Sequence, residues 1–144
     1  MKKLLLLPIL LIAIGFSSCN SDDDNSLTGE TLTGEWTLRS GNGTIAGRVD
    51  TFNDGEITWT FNEDHTVDVV NTVTDTQLLS GPPTGTYSYT INNNTGTPDC
   101  PKTISIGNGA FECSSITNEE IRIGDGFADG VYYTFNPMPQ IIAF

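Results

Sequence analysis

Residues 57–69 read Ile57-Thr58-Trp59-Thr60-Phe61-Asn62-Glu63-Asp64-His65-Thr66-Val67-Asp68-Val69. Ile57, Trp59 and Phe61 fall on one side of a period-two pattern, with Glu56, Thr58, Thr60 and Asn62 on the other. Val67, Val69 and then Val73 resume the alternation against Thr66, Asp68 and Thr72. Successive side chains of an extended strand point to opposite faces, so each run predicts a strand with one apolar face. Asn62-Glu63-Asp64-His65 between them is a turn, because Asn, Asp and His tolerate positive φ. Strand, tight polar turn and strand make a hairpin.

The same unit recurs outward in both directions. Trp36 and Leu38 alternate with Glu35, Thr37 and Arg39; Tyr87, Tyr89 and Ile91 alternate with Thr86, Ser88 and Thr90. Shorter cases follow at Ile104 and Ile106, Phe111 and Cys113, Ile121 and Ile123, and Val131, Tyr133 and Phe135. Gly81-Pro82-Pro83, Asn92-Asn93-Asn94, Gly107-Asn108-Gly109 and Gly124-Asp125-Gly126 punctuate them as turns. No stretch repeats apolar residues at helical spacing. Eight short strands, apolar on one face, describe an all-β antiparallel meander. Closure covers the apolar face and removes exposed edges, so the expected fold is a small up-and-down barrel, or the same strands flattened towards a sandwich. Residues 43–55 alternate poorly and are expected as a short edge strand or a loop over one barrel end. The apolar tail 140–144 is expected to dock.

The chain of 144 residues allows one domain plus a tail. Six Lys and Arg against 18 Asp and Glu give a net charge of -12, which excludes phosphate-backbone binding by clustered cations, so no nucleic-acid partner is expected. A single His and three Cys leave little material for a transition-metal site, and no metal or cofactor is expected.

The N-terminus reads as an address. Lys2 and Lys3 precede an apolar run, Leu4 to Ile14, that is too short to span a bilayer, and Phe16-Ser17-Ser18-Cys19 follows. This resembles the lipobox of bacterial lipoproteins, which implies cleavage after residue 18 and acylation of Cys19. Residues 1–18 are then a leader, 19–31 a lipidated Cys and acidic tether, and 32–144 the β domain. Loss of the leader removes two Lys and no acid, moving the formal charge from -12 to -14. Ser21-Asp22-Asp23-Asp24 is similar to the acidic export signal of Bacteroidetes surface lipoproteins. That likeness implies the outer membrane with the protein facing the cell exterior, the periplasmic face being the alternative. Cys100 and Cys113 are left as an even pair in an exported chain, which predicts a disulfide, the alternative being two separate thiols.

The domain also carries a resemblance. Leu32-Thr33-Gly34-Glu35-Trp36-Thr37-Leu38 is similar to the first strand of lipocalin-like domains in bacterial lipoproteins. Thr58–Val67 resembles their W-x-F-x-x-D-G-x-V hairpin, with His65 where Gly is usual. Gly85-Thr86-Tyr87, Ile104-Ser105-Ile106 and Ser115–Ile123 are similar to later strands of that pattern. The likeness implies fold more directly than function.

Candidate sites are few. His65 reads as a turn residue, and Glu63-Asp64 and Glu119-Glu120 as solvated surface. No G-x-S-x-G elbow or paired base activates a nucleophile, so no catalytic residue is assigned and no enzyme is expected. Asp125 and Asp129 lack the ligand spacing of a calcium loop. Phe127, among Gly and Asp between the last two strands, is either a contact residue or a lid. The inward list of Trp36, Trp59, Phe61, Tyr87, Tyr89, Phe111, Tyr133 and Phe135 reads as a filled core, leaving no cavity near ~300 Å³. Were it a pocket, Trp36, Trp59, Tyr87, Tyr89, Phe127 and Tyr133 would line it. Two functions follow: an interaction or structural module that docks on an envelope protein, or a carrier of a small apolar ligand or glycan. In the second, binding is expected at a barrel end or on the loop from Gly124 to Gly130.

Overall fold

The computed structural model describes residues 32–43, 47–95, 98–125 and 130–138. The lipobox with Cys19, the acidic run Asp22–Asp24, Phe127, Asp129 and the 140–144 tail lie outside the described residues. The strands are β1 (Gly34–Gly43), β2 (Arg48–Thr51), β3 (Ile57–Phe61), β4 (Thr66–Asn71), β5 (Gly85–Asn93), β6 (Lys102–Ile106), β7 (Gly109–Ile116), β8 (Ile121–Gly124) and β9 (Val131–Pro137). No helix occurs among the described residues.

Every pairing is antiparallel. From β3 to β9 each strand pairs with its successor, and β1 pairs with both β3 and β9. β1 and β3–β9 therefore close into the eight-stranded all-β barrel the alternation predicts, in keeping with a lipocalin-like fold, and closure takes the place of a sandwich. Residues 43–55 supply β2, an extra strand. It pairs with the second half of β1, from Ser40↔Thr51 to Gly43↔Arg48, while β3 occupies the first half, from Gly34↔Phe61 to Thr37↔Thr58.

β1 serves both neighbours through a bulge. Leu38 opposes Phe135 and Ser40 opposes Thr134, so Arg39 is an additional residue. One extra residue inverts the facing of everything after it. Trp36 and Leu38 are buried before the bulge, and Gly41 after it.

The core matches the inward list in part. Trp36, Trp59, Phe61, Tyr89 and Phe135 are buried with Leu38, Ile57, Val67, Ile104, Ile121 and Ile123, while Tyr87, Phe111 and Tyr133 are partly buried against them. Fully burying one such aliphatic or aromatic side chain stabilises by about 1.5–3 kcal/mol. Val73 departs from the expectation: β4 ends at Asn71, and Val73 packs on the core from the following loop.

The barrel has two distinct ends. At the first lie the start of β1, the end of β9, the β3–β4 turn and the β5–β6 connection. His65 takes φ 62° in that turn, and its ring meets Tyr89 edge-on at 5.7 Å. Cys100 and Cys113 form the expected disulfide here, Cα to Cα 4.3 Å, stapling the β5–β6 connection to β7. Asn94 Nδ2 reinforces the staple by donating to the carbonyls of Cys100 and Glu112, each at 2.9 Å. At the second end lie the β4–β5 connection, the β6–β7 turn, the end of β8 and the start of β9.

Candidate functional site: an aromatic cup at the barrel mouth

The β4–β5 connection, residues 72–84, folds across the second end, and Asn71 holds it there. Asn71 Nδ2 donates to the carbonyls of Ser80 (3.0 Å) and Pro82 (3.1 Å), and its Oδ1 accepts from the Val73 N–H (3.0 Å). Thr84 Oγ1 accepts from the Asn71 N–H (2.9 Å) and donates to the Asn71 carbonyl (3.1 Å). Asp50 of β2 accepts from the Leu79 N–H at 2.8 Å. That bond first, and Arg48 after it, hold the Asp50 carboxyl below the usual range. Gly81 is thereby laid beside the barrel's rings: a Cβ there would stand 3.3 Å from Trp59 Cζ2 and 4.0 Å from Tyr133 Cε1.

Between this segment and the β6–β7 hairpin lies a cup of about 390 Å³. Trp59, Tyr87, Phe111 and Tyr133 are its aromatic walls, Pro82 and Ile106 its aliphatic ones, and Asn108 and Gly109 come from the β6–β7 turn. Phe111 meets Tyr133 edge to face at 6.2 Å between centroids, and Trp59 rests on Phe135 at 4.7 Å. These contacts hold the walls in place before anything binds. Tyr87 is held too, its hydroxyl donating to the Pro83 carbonyl at 2.8 Å.

Among the cup's described residues one buried polar atom is not engaged. Trp59 is fully buried, yet its Nε1 has no hydrogen-bond partner among the described residues. Leaving a buried donor unmatched costs about 1–3 kcal/mol, whereas Trp36 Nε1 meets the Leu32 carbonyl at 2.9 Å. The Tyr133 phenol is pushed above its ordinary value, first by burial and then by the negative charge of Asp125. No lining residue carries a charge at neutral pH. The arrangement can stack an apolar ring against Tyr87, Phe111 and Tyr133.

The cup is open at the barrel mouth rather than enclosed, so it lies outside the interior for which no cavity near 300 Å³ was expected. The core below it is filled, but the β4–β5 connection stands over the barrel mouth without filling it. The position at a barrel end agrees with where binding was expected. Of the candidate ligand residues, the structure brings Trp59, Tyr87 and Tyr133 together. Trp36 and Tyr89 are turned to other work. Trp36 lines a cleft with Gly34 and Pro137 at the first end, and the Tyr89 hydroxyl donates to the Asn62 carbonyl at 3.1 Å. Sequence reasoning missed Pro82, Ile106, Asn108 and Gly109 as lining residues, and placed Phe111 only in the core. Pro82, Asn108 and Gly109 stood in recognised turn clusters, which was the available signal.

The other acidic candidates serve turns. Asp64 Oδ1 accepts from the N–H (3.1 Å) and hydroxyl (2.6 Å) of Thr66, and Thr117 Oγ1 accepts from the Glu119 and Glu120 N–H groups. Asp125 Oδ2 accepts from the Val131 N–H at 3.4 Å. Among the described residues no group of three or more His, Cys, Asp or Glu is placed to hold a metal ion. Compared with protein-family models, curated proteins and solved structures, the chain matches none.

Proposed function

We propose that this chain is an outer-membrane lipoprotein of the lipocalin-like type, anchored through Cys19, whose non-catalytic barrel binds a small ligand in the cup at its mouth. The supporting observation is the preformed cup of about 390 Å³ walled by Tyr87, Phe111 and Tyr133, with no charged residue in its lining. Binding sites of this kind are concave, mainly apolar and supplied with a few polar groups. Several acyl chains on Cys19, at about 0.8 kcal/mol per buried CH₂, would hold the protein on its membrane. The acidic run Asp22–Asp24 supports an exterior-facing position by its likeness to export signals. The cup favours small-molecule binding over docking on an envelope protein, the other function open from the sequence.

The test is recovery of the protein from its own envelope, followed by mass spectrometry of co-purifying small molecules and proteins. A small molecule released on denaturation, and lost from Gly109→Trp, is the expected result. A Cβ at Gly109 meets nothing nearer than 3.6 Å, so that substitution can put a ring into the cup without disturbing the backbone. Protein partners that persist in Gly109→Trp, with no small molecule from either form, would favour docking instead.

A further inference from the structure

We propose that the cup takes a small quaternary ammonium compound, its methyl-clad cationic head held against the rings of Tyr87, Phe111 and Tyr133. This rests on reading the cup as a binding site, and it adds the chemical class of the occupant.

The walls come first. Tyr87, Phe111 and Tyr133 line the cup, and each is only partly buried. Phe111 and Tyr133 stand with their planes 84° apart, as two sides of a corner. Tyr87 is fixed by its bond to the Pro83 carbonyl. Trp59 is fully buried and takes no part in the contact. An aromatic ring is negative on its faces, so several rings around one space attract a cation.

Charge decides the class. The cup offers no Lys, Arg or His to receive an anion. Asp125 follows β8 at the same barrel end, its N–H donating to the Val131 carbonyl at 3.1 Å and its Oδ2 accepting from the Val131 N–H at 3.4 Å. The Tyr133 phenol is raised first by burial and then by the Asp125 charge, so that charge acts on a wall of the cup. In a chain of net charge -12, the mouth draws in cations and repels carboxylates. A fatty acid would fit an apolar barrel by hydrophobicity, but its carboxylate would find no counter-ion in this lining.

Hydrogen bonding then selects among cations. A primary ammonium carries three N–H donors, which must be matched when it leaves water. No carboxylate lines the cup. A quaternary ammonium has no N–H to satisfy: its methyl groups pack on the rings, and their faces meet its charge. A volume of about 390 Å³ exceeds such a head alone and leaves room for a substituent on it.

Choline and 3,3-dimethylbutanol test this on the intact chain. They share a shape and a hydroxyl, and differ in a charged nitrogen against a neutral carbon. The readout is the side-chain resonances of Ile106, Phe111 and Tyr133 during titration. Choline should bind about tenfold tighter than the alcohol, and tighter than ethanolamine. Added salt should weaken choline and spare the alcohol. Phe111→Leu, which stays apolar and loses the ring, should lower choline towards the alcohol. Glycerophosphocholine separates two sources of the same head: binding tighter than choline assigns a lipid headgroup, and weaker binding assigns a free solute. The alcohol or ethanolamine binding as tightly as choline, or no shift of those resonances with choline, would overturn the ligand class. These readings need no substitution, so a misfolded variant cannot rescue the proposal. The cup as a binding site is judged separately, by the molecule recovered from the envelope. An uncharged or anionic molecule lost from Gly109→Trp would uphold the site and overturn the class.

Discussion

Gly41 and Leu79 touch so closely that a Cβ on Gly41 would lie 2.0 Å from the Leu79 carbonyl oxygen and 2.7 Å from its Cβ. The contact joins β1, just past the Arg39 bulge, to the connection that roofs the cup. Gly41→Ala must push the β4–β5 connection outward or strain β1. Overpacking of this kind costs about 1–3 kcal/mol. Urea unfolding should show that loss, and probe affinity for the cup should fall with it. An unchanged midpoint would mean the connection is free to move.

The disulfide predicts a different loss. Cys100→Ser with Cys113→Ser frees a loop of sequence separation 13, which should cost about 3 kcal/mol in the chain-entropy model. The staple lies at the end away from the cup. Reduction should therefore lower thermal stability while leaving probe affinity near its original value at temperatures where the protein remains folded. Peptide mapping without reductant should recover the two cysteine peptides linked.

Acid should weaken the fold through Asp68. Its carboxyl is held below the ordinary range, first by the Thr86 hydroxyl and then by the Asn62 amide. A lowered folded value means that the unfolded chain binds the proton more readily. The contribution is thus complete above the ordinary value near 3.9 and disappears as pH falls through the folded one. Thermal midpoints taken from pH 6 to pH 2 should drop, and Asp68→Asn should flatten the part of that drop near the carboxylate range.

Alkali acts through Tyr133 with the opposite sign. Burial first, then the Asp125 charge, raises its phenol above about 10. Stability tied to the neutral phenol is intact below the ordinary value and is lost as pH rises through the raised one. Ultraviolet titration should find two tyrosines ionising late: Tyr89, which burial also raises, and Tyr133. Asp125→Asn should bring Tyr133 part of the way back, leaving the larger effect of burial in place.

Anchoring has its own test. Cys19→Ala should release the protein from the membrane fraction and abolish incorporation of labelled fatty acid. Changing Asp22, Asp23 and Asp24 to Ala should protect the protein from external protease by keeping it on the periplasmic face. Membrane retention of Cys19→Ala, with no labelled fatty acid on the unaltered chain, would remove the lipobox reading.

Much of the barrel was legible because period-two alternation is a direct imprint of the pleat. Ile57, Trp59 and Phe61 declare an inward face without any tertiary knowledge. The Arg39 bulge left no such mark, since an Arg between Leu38 and Ser40 looks like an ordinary outward residue. β2 was faint because Val49 is its only large apolar side chain, and it is exposed. Val73 kept the right parity after its strand had ended, because a loop residue can also pack on the core. The cup was the least legible part. Trp36, Trp59, Tyr87, Tyr89 and Tyr133 look alike as inward aromatics. Which of them reach the second end depends on strand stagger and on the path of residues 72–84, and neither is written in alternation.

β1 begins and β9 ends at the same end of the barrel, and the cup opens at the other. An acyl group on Cys19 would therefore hold the molecule by its base, like a goblet by its stem. The mouth would face the surrounding medium, and a solute could arrive or leave without slipping between the barrel and the bilayer. The same polarity makes the end of β9 a poor place for a bulky fusion intended to block the cup, and the β6–β7 turn a good one.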